Sequence, residues 1–182
     1  MISTYSSKMV VDEQGMHRWT VDEYERAAKL LDLDRLELID GVVFDVSPES
    51  FVHSNAVKAV YHQLLDRQSA GVVMPAGSVR LDDGSLWNSD VYVLVTAPAP
   101  ERGPYPQASD VLLAVEISLS TWQRDTERKL PVYARNGIPE VWLLRPTVGK
   151  AWELVRCTDP EAKGYRSMTT IPLPDGPRTI PA

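Results

Sequence analysis

With 182 residues and 43% hydrophobic composition, the chain is long enough for one ordinary domain with a substantial core. No apolar stretch nears the roughly 18 residues of a membrane span, the polar N-terminus lacks a secretory signal, and the single Cys157 excludes a disulfide or multi-cysteine zinc site, so a cytoplasmic protein is expected. The net charge of −6 argues against a protein that coats nucleic acid through bulk electrostatics, but not against an enzyme that approaches phosphates through a metal ion.

The first half of the chain predicts an N-terminal arm, a helix, a hairpin and a second helix. The expected bounds are, in that order, residues 1–18, about 20–33, 36–46 and about 50–68. Thr20 and Glu23 have the spacing of a capping box, which marks the start of the first helix. Asp40-Gly41 between two apolar runs is a strong hairpin signal, and Ser47-Pro48 is expected to end that hairpin.

The second half predicts strands, loops and one further helix. The expected strands cover 72–74, 91–95, 111–117, 141–144 and 152–155, and the expected helix runs from about 120 to 135. The run Val111–Ile117 is nearly all apolar, which is typical of a central strand covered on both faces. Asn136-Gly137 predicts a left-handed helix end, and proline predicts a surface loop over 97–106 and a tail or edge segment over 172–182. Without a linker or repeat, residues 1–182 are expected to form a single domain.

Two acids interrupt strands that are otherwise apolar. Asp90 opens the 91–95 run, and Glu116 lies inside the 111–117 run. Burying an unpaired carboxylate is costly, so such a group is usually paired, hydrogen-bonded, protonated or bound to a cation. If the two strands are neighbours, both acids can bind one divalent ion, and oxygen ligands of this kind suit Mg²⁺ or Mn²⁺. That ion would activate water and neutralise charge on a phosphate.

Structural roles for the same two acids remain open. Asp90 could cap a loop, and Glu116 could form an ion pair with a base on the following helix, for which the candidates are Arg124, Arg128 and Lys129.

Lys129 has two alternative interpretations. It follows Asp125 by four residues and precedes Tyr133 by four, so the three share a helical face. Lys129 is either half of a surface pair with Asp125 or, if the helix folds back across the strand end, a cation beside the phosphate that orients water or offsets charge in the transition state.

A set of motifs in a fixed order extends from about residue 20 to 155. The segments are Leu36-Glu37-Leu38-Ile39-Asp40-Gly41, Ser47-Pro48, His53, Ser89-Asp90-Val91, Val115-Glu116-Ile117-Ser118-Leu119-Ser120-Thr121, Asp125, Lys129, Tyr133 and Gly137-Ile138-Pro139-Glu140-Val141-Trp142. In this order and spacing they resemble the Uma family of restriction-endonuclease-like proteins, which belongs to the PD-(D/E)xK nuclease superfamily.

The resemblance implies an α/β fold with a restriction-endonuclease-like core, in which α-helices flank a central mixed β-sheet. It also implies a Mg²⁺- or Mn²⁺-dependent hydrolysis of phosphodiester bonds. Asp90 and Glu116 match the acids of the first and second motifs and would bind the metal. Ser118 stands where the superfamily usually carries lysine, and Lys129 is the position from which the next helix can supply that lysine.

Two further positions match the family without a fixed role. Glu37 is either an additional ligand or a group that supports the ligands, or else an exposed strand residue. His53 matches a recurring histidine, and no chemistry is assigned to it.

The first functional hypothesis is therefore a metal-dependent endonuclease acting on DNA, with Asp90, Glu116 and Lys129 as its catalytic residues. A two-fold homodimer is expected, because enzymes that cut duplex DNA symmetrically are commonly dimers. The alternative is an inactive nuclease-fold protein that serves as a binding or assembly module. A third hypothesis is a metal-dependent hydrolase of a phosphate outside nucleic acids.

Overall fold

The computed structural model describes residues 10–31, 35–46, 49–67, 71–149 and 151–181. The helices are α1 (Val21–Leu31), α2 (Phe51–Asp66), α3 (Trp122–Arg124) and α4 (Leu130–Arg135). The strands are β1 (Val10–Val11), β2 (His17–Arg18), β3 (Leu36–Ile39), β4 (Val42–Asp45), β5 (Val72–Asp82), β6 (Ser85–Leu94), β7 (Val111–Ile117), β8 (Glu140–Pro146), β9 (Trp152–Glu161) and β10 (Gly164–Leu173). A π-helical segment, Asp125–Lys129, joins α3 to α4, and short 3₁₀ helices cover Pro100–Arg102, Ala108–Asp110 and Pro177–Thr179.

Eight of the described strands form one mixed sheet in the order β10-β9-β8-β7-β6-β3-β4, and β5 also pairs with β6. The β7–β8 pair is parallel, and the other pairs are antiparallel. β5 runs beside the whole of β6, so β3 and β7 must share the other edge of β6. This shared edge determines where the site lies.

Helices cover both faces of this sheet, which confirms the predicted α/β, restriction-endonuclease-like architecture. α2 packs on β5, β6 and β7, while α4 packs on β9 and β10. Along β7, Leu113, Val115 and Ile117 join the α2 side of the core, and Val111 and Ala114 join the α4 side. The nearly continuous apolar run predicted for this strand is therefore explained by burial on both faces.

Several local predictions are confirmed by hydrogen bonds and backbone angles. Glu23 Oε2 accepts from the Thr20 amide at 2.9 Å, and Thr20 Oγ1 accepts from the Glu23 amide at 3.2 Å, which completes the capping box. Asp40 and Gly41 link β3 to β4 with φ of 51° and 72°, as a tight hairpin turn requires. Gly137 ends the segment after α4 with φ of 73°.

Two predicted strands are present but longer than expected. The expected strands at 72–74 and 91–95 are the outer parts of a long hairpin, β5–β6, so Asp90 lies within β6 and does not open a strand. Pro75 and Gly77, which follow the expected strand at 72–74, lie within β5. β10 was not expected at all.

The β5–β6 hairpin is distorted beside Asp90. Between the pairs Pro75–Val91 and Gly77–Ser89, Ala76 has φ of 50°, and Gly77 has φ of 145°. Val91 faces the α2 side of the core, whereas Trp87, four residues earlier, faces the α4 side. Because strand side chains alternate, residues four apart should share a face, so the alternation switches in the segment that contains Asp90.

The C-terminal residues pack against α2. Leu173 and Ile180 are buried, and Gln63 on α2 accepts a hydrogen bond from the Ile180 amide at 3.1 Å and donates to the Pro177 carbonyl. None of the helices among the described residues combines the length and apolar content needed to cross a membrane. The predicted Ser47-Pro48 stop, the ends of the first two helices at 33 and 68, and residues 1–9 of the predicted arm lie outside the described residues.

Candidate active site

The candidate site occupies the gap between β3 and β7 on their shared edge of β6. β3 contacts β6 where Leu38 lies opposite Leu86, and β7 contacts it from the Val91–Val115 pair onward. Around this gap, carboxylates accept hydrogen bonds that strand carbonyls would accept in a continuous sheet. Glu37 Oε1 accepts from the Asn88 amide at 3.1 Å.

Asp90, on β6, likewise accepts a hydrogen bond from a backbone amide of a neighbouring strand. Its Oδ2 accepts from the Ile117 amide at 2.6 Å, which ties the end of β7 to β6. Asp90 was considered as the cap of a loop, but the amide that it accepts from belongs to the end of a strand. Its second oxygen, Oδ1, is left for other partners.

A cavity of about 180 Å³ opens at this gap. Its ionisable lining residues are Glu37, Glu49, His53, Asp90, Glu116, Arg124, Asp125 and Lys129. The three residues predicted to be catalytic, Asp90, Glu116 and Lys129, therefore line a single cavity. Five of the ionisable lining residues are carboxylic acids and three are bases, so acidic groups outnumber basic ones.

The inner wall of the cavity is a buried ionic group around Lys129, hereafter the lysine cluster (Glu37, Glu116, Asp125 and Lys129). Lys129 Nζ lies 2.9 Å from Glu37 Oε1, 3.2 Å from Glu116 Oε2 and 3.8 Å from Asp125 Oδ1. The Lys129 side chain is only 5% exposed and that of Glu37 only 1%. Asp125 and Lys129 therefore do not form a surface pair, and Glu37 is not an exposed strand residue.

Glu116 is held by three donors. Its Oε1 accepts from Tyr133 Oη at 2.6 Å and from Trp87 Nε1 at 2.5 Å, while its Oε2 faces Lys129. Of the three bases considered as its partner, the structure selects Lys129. Burial raises the pKa of Glu116 to about 8 against the effect of Lys129, and the charges of Asp125, Asp90 and Glu37 add to the rise.

Lys129 remains a cation in this setting. Burial acts to lower its pKa, but the negative charges of Glu116, Glu37 and Asp125 outweigh burial, so the pKa is raised. Burial also raises the pKa of Tyr133 well above its usual value, so its hydroxyl stays a donor to Glu116.

Asp125 connects the lysine cluster to the turn after β7. Its Oδ2 accepts from Ser118 Oγ at 2.7 Å and from Thr121 Oγ1 at 2.6 Å, while Oδ1 is buried without a hydrogen-bond partner among the described residues. Ser118 thus holds the helical segment that carries Lys129. The π-helical segment spans Asp125 to Lys129, and such segments recur at functional sites.

The outer wall of the cavity holds a second group, hereafter the histidine cluster (Glu49, His53 and Asp90). His53 Nε2 lies 3.2 Å from Asp90 Oδ1, and His53 Nδ1 lies 3.7 Å from Glu49 Oε2. One ligand atom from each residue lies within 4.8 Å of the others, a spacing that could hold a metal ion. The hydrogen bond to Asp90 raises the pKa of His53 against partial burial, and the charges of Asp90, Glu49 and Glu116 add to the rise.

This grouping differs from the predicted pair of metal ligands. Asp90 belongs to it but Glu116 does not, because Glu116 contacts Trp87, Tyr133 and Lys129 instead. Sequence reasoning missed Glu49, whose one available signal was its spacing of four residues from His53.

The donor set fits a divalent cation. Two carboxylates and one imidazole converge in the histidine cluster, and carboxylate oxygen with imidazole nitrogen suits ions such as Mn²⁺. Oε2 of Glu116 faces Lys129 on the inner wall of the same cavity.

Comparison with known proteins agrees with this architecture. A family model, Uma2, described as "Putative restriction endonuclease", matches residues 21–178. No curated protein matches the chain. The match spans the whole sheet from β3 to β10 and every residue of both clusters. The chain belongs to the Uma2 family, the restriction-endonuclease-like family that its ordered motifs resemble.

Proposed function

We propose that this protein is a metal-dependent nuclease that hydrolyses phosphodiester bonds in DNA. The family description supports nuclease activity. The observation that carries the proposal is the single cavity in which Asp90, Glu116 and Lys129 meet, with a group of metal-compatible ligands on its outer wall.

Asp90, His53 and Glu49 would hold the cation, while Glu116 lies on the inner wall of the same cavity with its Oε2 paired with Lys129. A divalent ion bound there supplies two effects, activation of water and neutralisation of charge on a phosphate. Mg²⁺ and Mn²⁺ are the proposed ions, and the imidazole favours Mn²⁺ of the two.

Lys129 supplies a fixed positive charge beside the reacting phosphate. Its contacts with Glu37, Glu116 and Asp125 set its position before any substrate binds, and a preorganised cation of this kind stabilises developing negative charge. Trp87 and Tyr133 keep Glu116 from rotating away from the cavity. The proposed roles thus separate into ion binding on the outer wall and charge stabilisation on the inner wall.

A plasmid-nicking assay tests the proposal. Wild-type protein is expected to nick supercoiled DNA with Mn²⁺ or Mg²⁺ and not with EDTA. Asp90→Asn should abolish nicking while keeping an oxygen for the Ile117 amide. Asp66→Asn, at an exposed position at the end of α2, is the matched control and should nick normally. Wild-type protein that takes up no metal and cuts neither DNA nor a small phosphodiester would remove the proposal; cleavage of the small ester alone would favour a hydrolase of other phosphates.

An inactive binding or assembly module is the second candidate. The full set of donors on Glu116 favours it, because a carboxylate already bonded to Trp87, Tyr133 and Lys129 is satisfied without metal. This candidate predicts DNA or protein binding that Asp90→Asn leaves unchanged, with no Mn²⁺-dependent rise in melting temperature.

A further inference from the structure

Arg124 is a cavity-lining cation to which the proposed mechanism assigns no role. It is the last residue of α3 and lines the cavity together with both clusters. Its NH1 donates to the backbone carbonyl of Asp45 at 3.2 Å, at the end of β4. Its Nε is buried and has no hydrogen-bond partner among the described residues.

The contrast with Lys129 shows that this guanidinium is uncommitted. Lys129 lies within 4 Å of three carboxylates, whereas Arg124, within the part of the chain that the structure describes, forms no ion pair although five carboxylates line the same cavity. A guanidinium has five N–H donors, and the structure gives Arg124 one acceptor, a neutral carbonyl. Apart from the Asp45 carbonyl, the guanidinium therefore has no acceptor among the described residues, and no ion pair there neutralises its charge.

The charge of the cavity favours such a group for an anionic substrate. The carboxylates that line the cavity repel a phosphate as it approaches, Lys129 and a cation bound by the histidine cluster offset part of that repulsion, and Arg124 adds a further positive charge. The planar fork of an arginine fits two oxygens of one phosphate, which a lysine cannot reproduce.

We propose that Arg124 is the residue that binds a phosphate of the DNA backbone at this cavity, through paired N–H contacts to its non-bridging oxygens. The inference rests on the proposed nuclease function and adds the contact that holds the substrate. The Asp45 carbonyl acts as the anchor that fixes the direction of the guanidinium.

Equilibrium binding to a fluorescent DNA duplex, measured in EDTA over a series of salt concentrations, tests this role without cleavage. Arg124→Gln should weaken binding at low salt about tenfold or more. It should also lower the slope of log K against log salt by about 0.9, the loss of one phosphate contact on duplex DNA. Arg124→Lys should keep the slope and lose part of the affinity, because it keeps the charge without the fork.

Arg128→Gln is the control, since Arg128 is exposed on the same helical segment and does not line the cavity. Its affinity and slope should equal those of the wild type. An unchanged slope in Arg124→Gln, with wild-type DNA cleavage intact, would overturn the role of Arg124 and leave the nuclease proposal standing. If wild-type protein bound and cut no DNA, both would fail together.

Discussion

The two walls of the cavity hold clustered charges in different ways: the lysine cluster on the inner wall is buried, and the histidine cluster on the outer wall is partly exposed. In the lysine cluster, Lys129 and Glu116 are each only 5% exposed, and their charged atoms contact one another or buried donors. In the histidine cluster, Glu49 is 59% exposed and His53 Nδ1 has no hydrogen-bond partner among the described residues. The difference indicates that Lys129 and Glu116 on the inner wall are paired without ligand, whereas the outer wall has ligand positions still open.

Of the predicted changes, removal of the buried cation on the inner wall should have the largest effect on stability. Lys129→Met keeps the length of the side chain but leaves Glu37, Glu116 and Asp125 without their cation, so the free energy of unfolding is expected to fall by about 3–5 kcal/mol. Urea denaturation of metal-free protein measures the change.

Arg128→Met is the matched control, because Arg128 is exposed and directly precedes Lys129; its change should stay within about 0.5 kcal/mol. Equal stability of the two variants would show that the inner wall is not a cooperative ionic group.

The pH dependence of stability should report on Glu116. Its ordinary pKa of 4.5 in the unfolded chain rises to about 8 in the folded protein, so between these pH values the folded state holds a proton that the unfolded state has released. Stability of metal-free protein should therefore fall as the pH rises from 5 to 8, by at most about 1.4 kcal/mol per pH unit from this group.

Glu116→Gln removes the titrating group and keeps an oxygen for Tyr133 and Trp87. Chemical denaturation of this variant at pH 5, 6.5 and 8 should give a flatter profile than the wild type. Identical profiles for the two proteins would contradict a raised pKa at this position.

The smallest expected effect concerns the outer wall. His53→Gln should weaken Mn²⁺ binding by about tenfold, or about 1.4 kcal/mol, because one ligand position is replaced by a weaker donor. Calorimetric titration measures the affinity, and the nitrogen signal around bound Mn²⁺ in electron spin echo spectra should disappear. His62→Gln, at an exposed position on the same helix, should retain both. A nitrogen signal that persists in His53→Gln would assign the ion to other ligands.

Local chemistry made much of the fold predictable from sequence. The capping box at Thr20 and the Asp40-Gly41 turn depend on residues within a few positions of each other, and both are present. The strand Val111–Ile117 has the predicted bounds because burial on both faces leaves a plain apolar signal.

The failures involve residues whose local preference is overridden. Pro and Gly are disfavoured inside strands, yet Pro75 and Gly77 lie in β5, beside the segment in which the alternation of side chains switches. Such a distortion depends on the partner strand, so no local pattern predicts it.

The site residues also divide into those with a local sequence signal and those placed by the tertiary fold. Asp90 and Glu116 could be identified because an acid in an apolar strand is conspicuous, and Lys129 because of its place in the ordered motifs. Glu49 and Arg124 gave no comparable signal, since charged residues near helix ends are common on ordinary surfaces. Their proximity follows from α2 and α3 reaching the gap beside β6, which is a property of the tertiary fold.

Because Glu37 and Asp90 accept hydrogen bonds from backbone amides, their presence in a related sequence has a structural meaning as well as a catalytic one. A descendant that had lost all cleavage would still be selected to keep these two acids, because without them the Asn88 amide within β6 and the Ile117 amide at the end of β7 would lose their acceptors. Retention of Glu37 and Asp90 in a relative is thus evidence of a sound fold, and not of an active enzyme. Glu49 and His53, whose side chains bond to no backbone group among the described residues, are the positions at which a pseudoenzyme should first diverge.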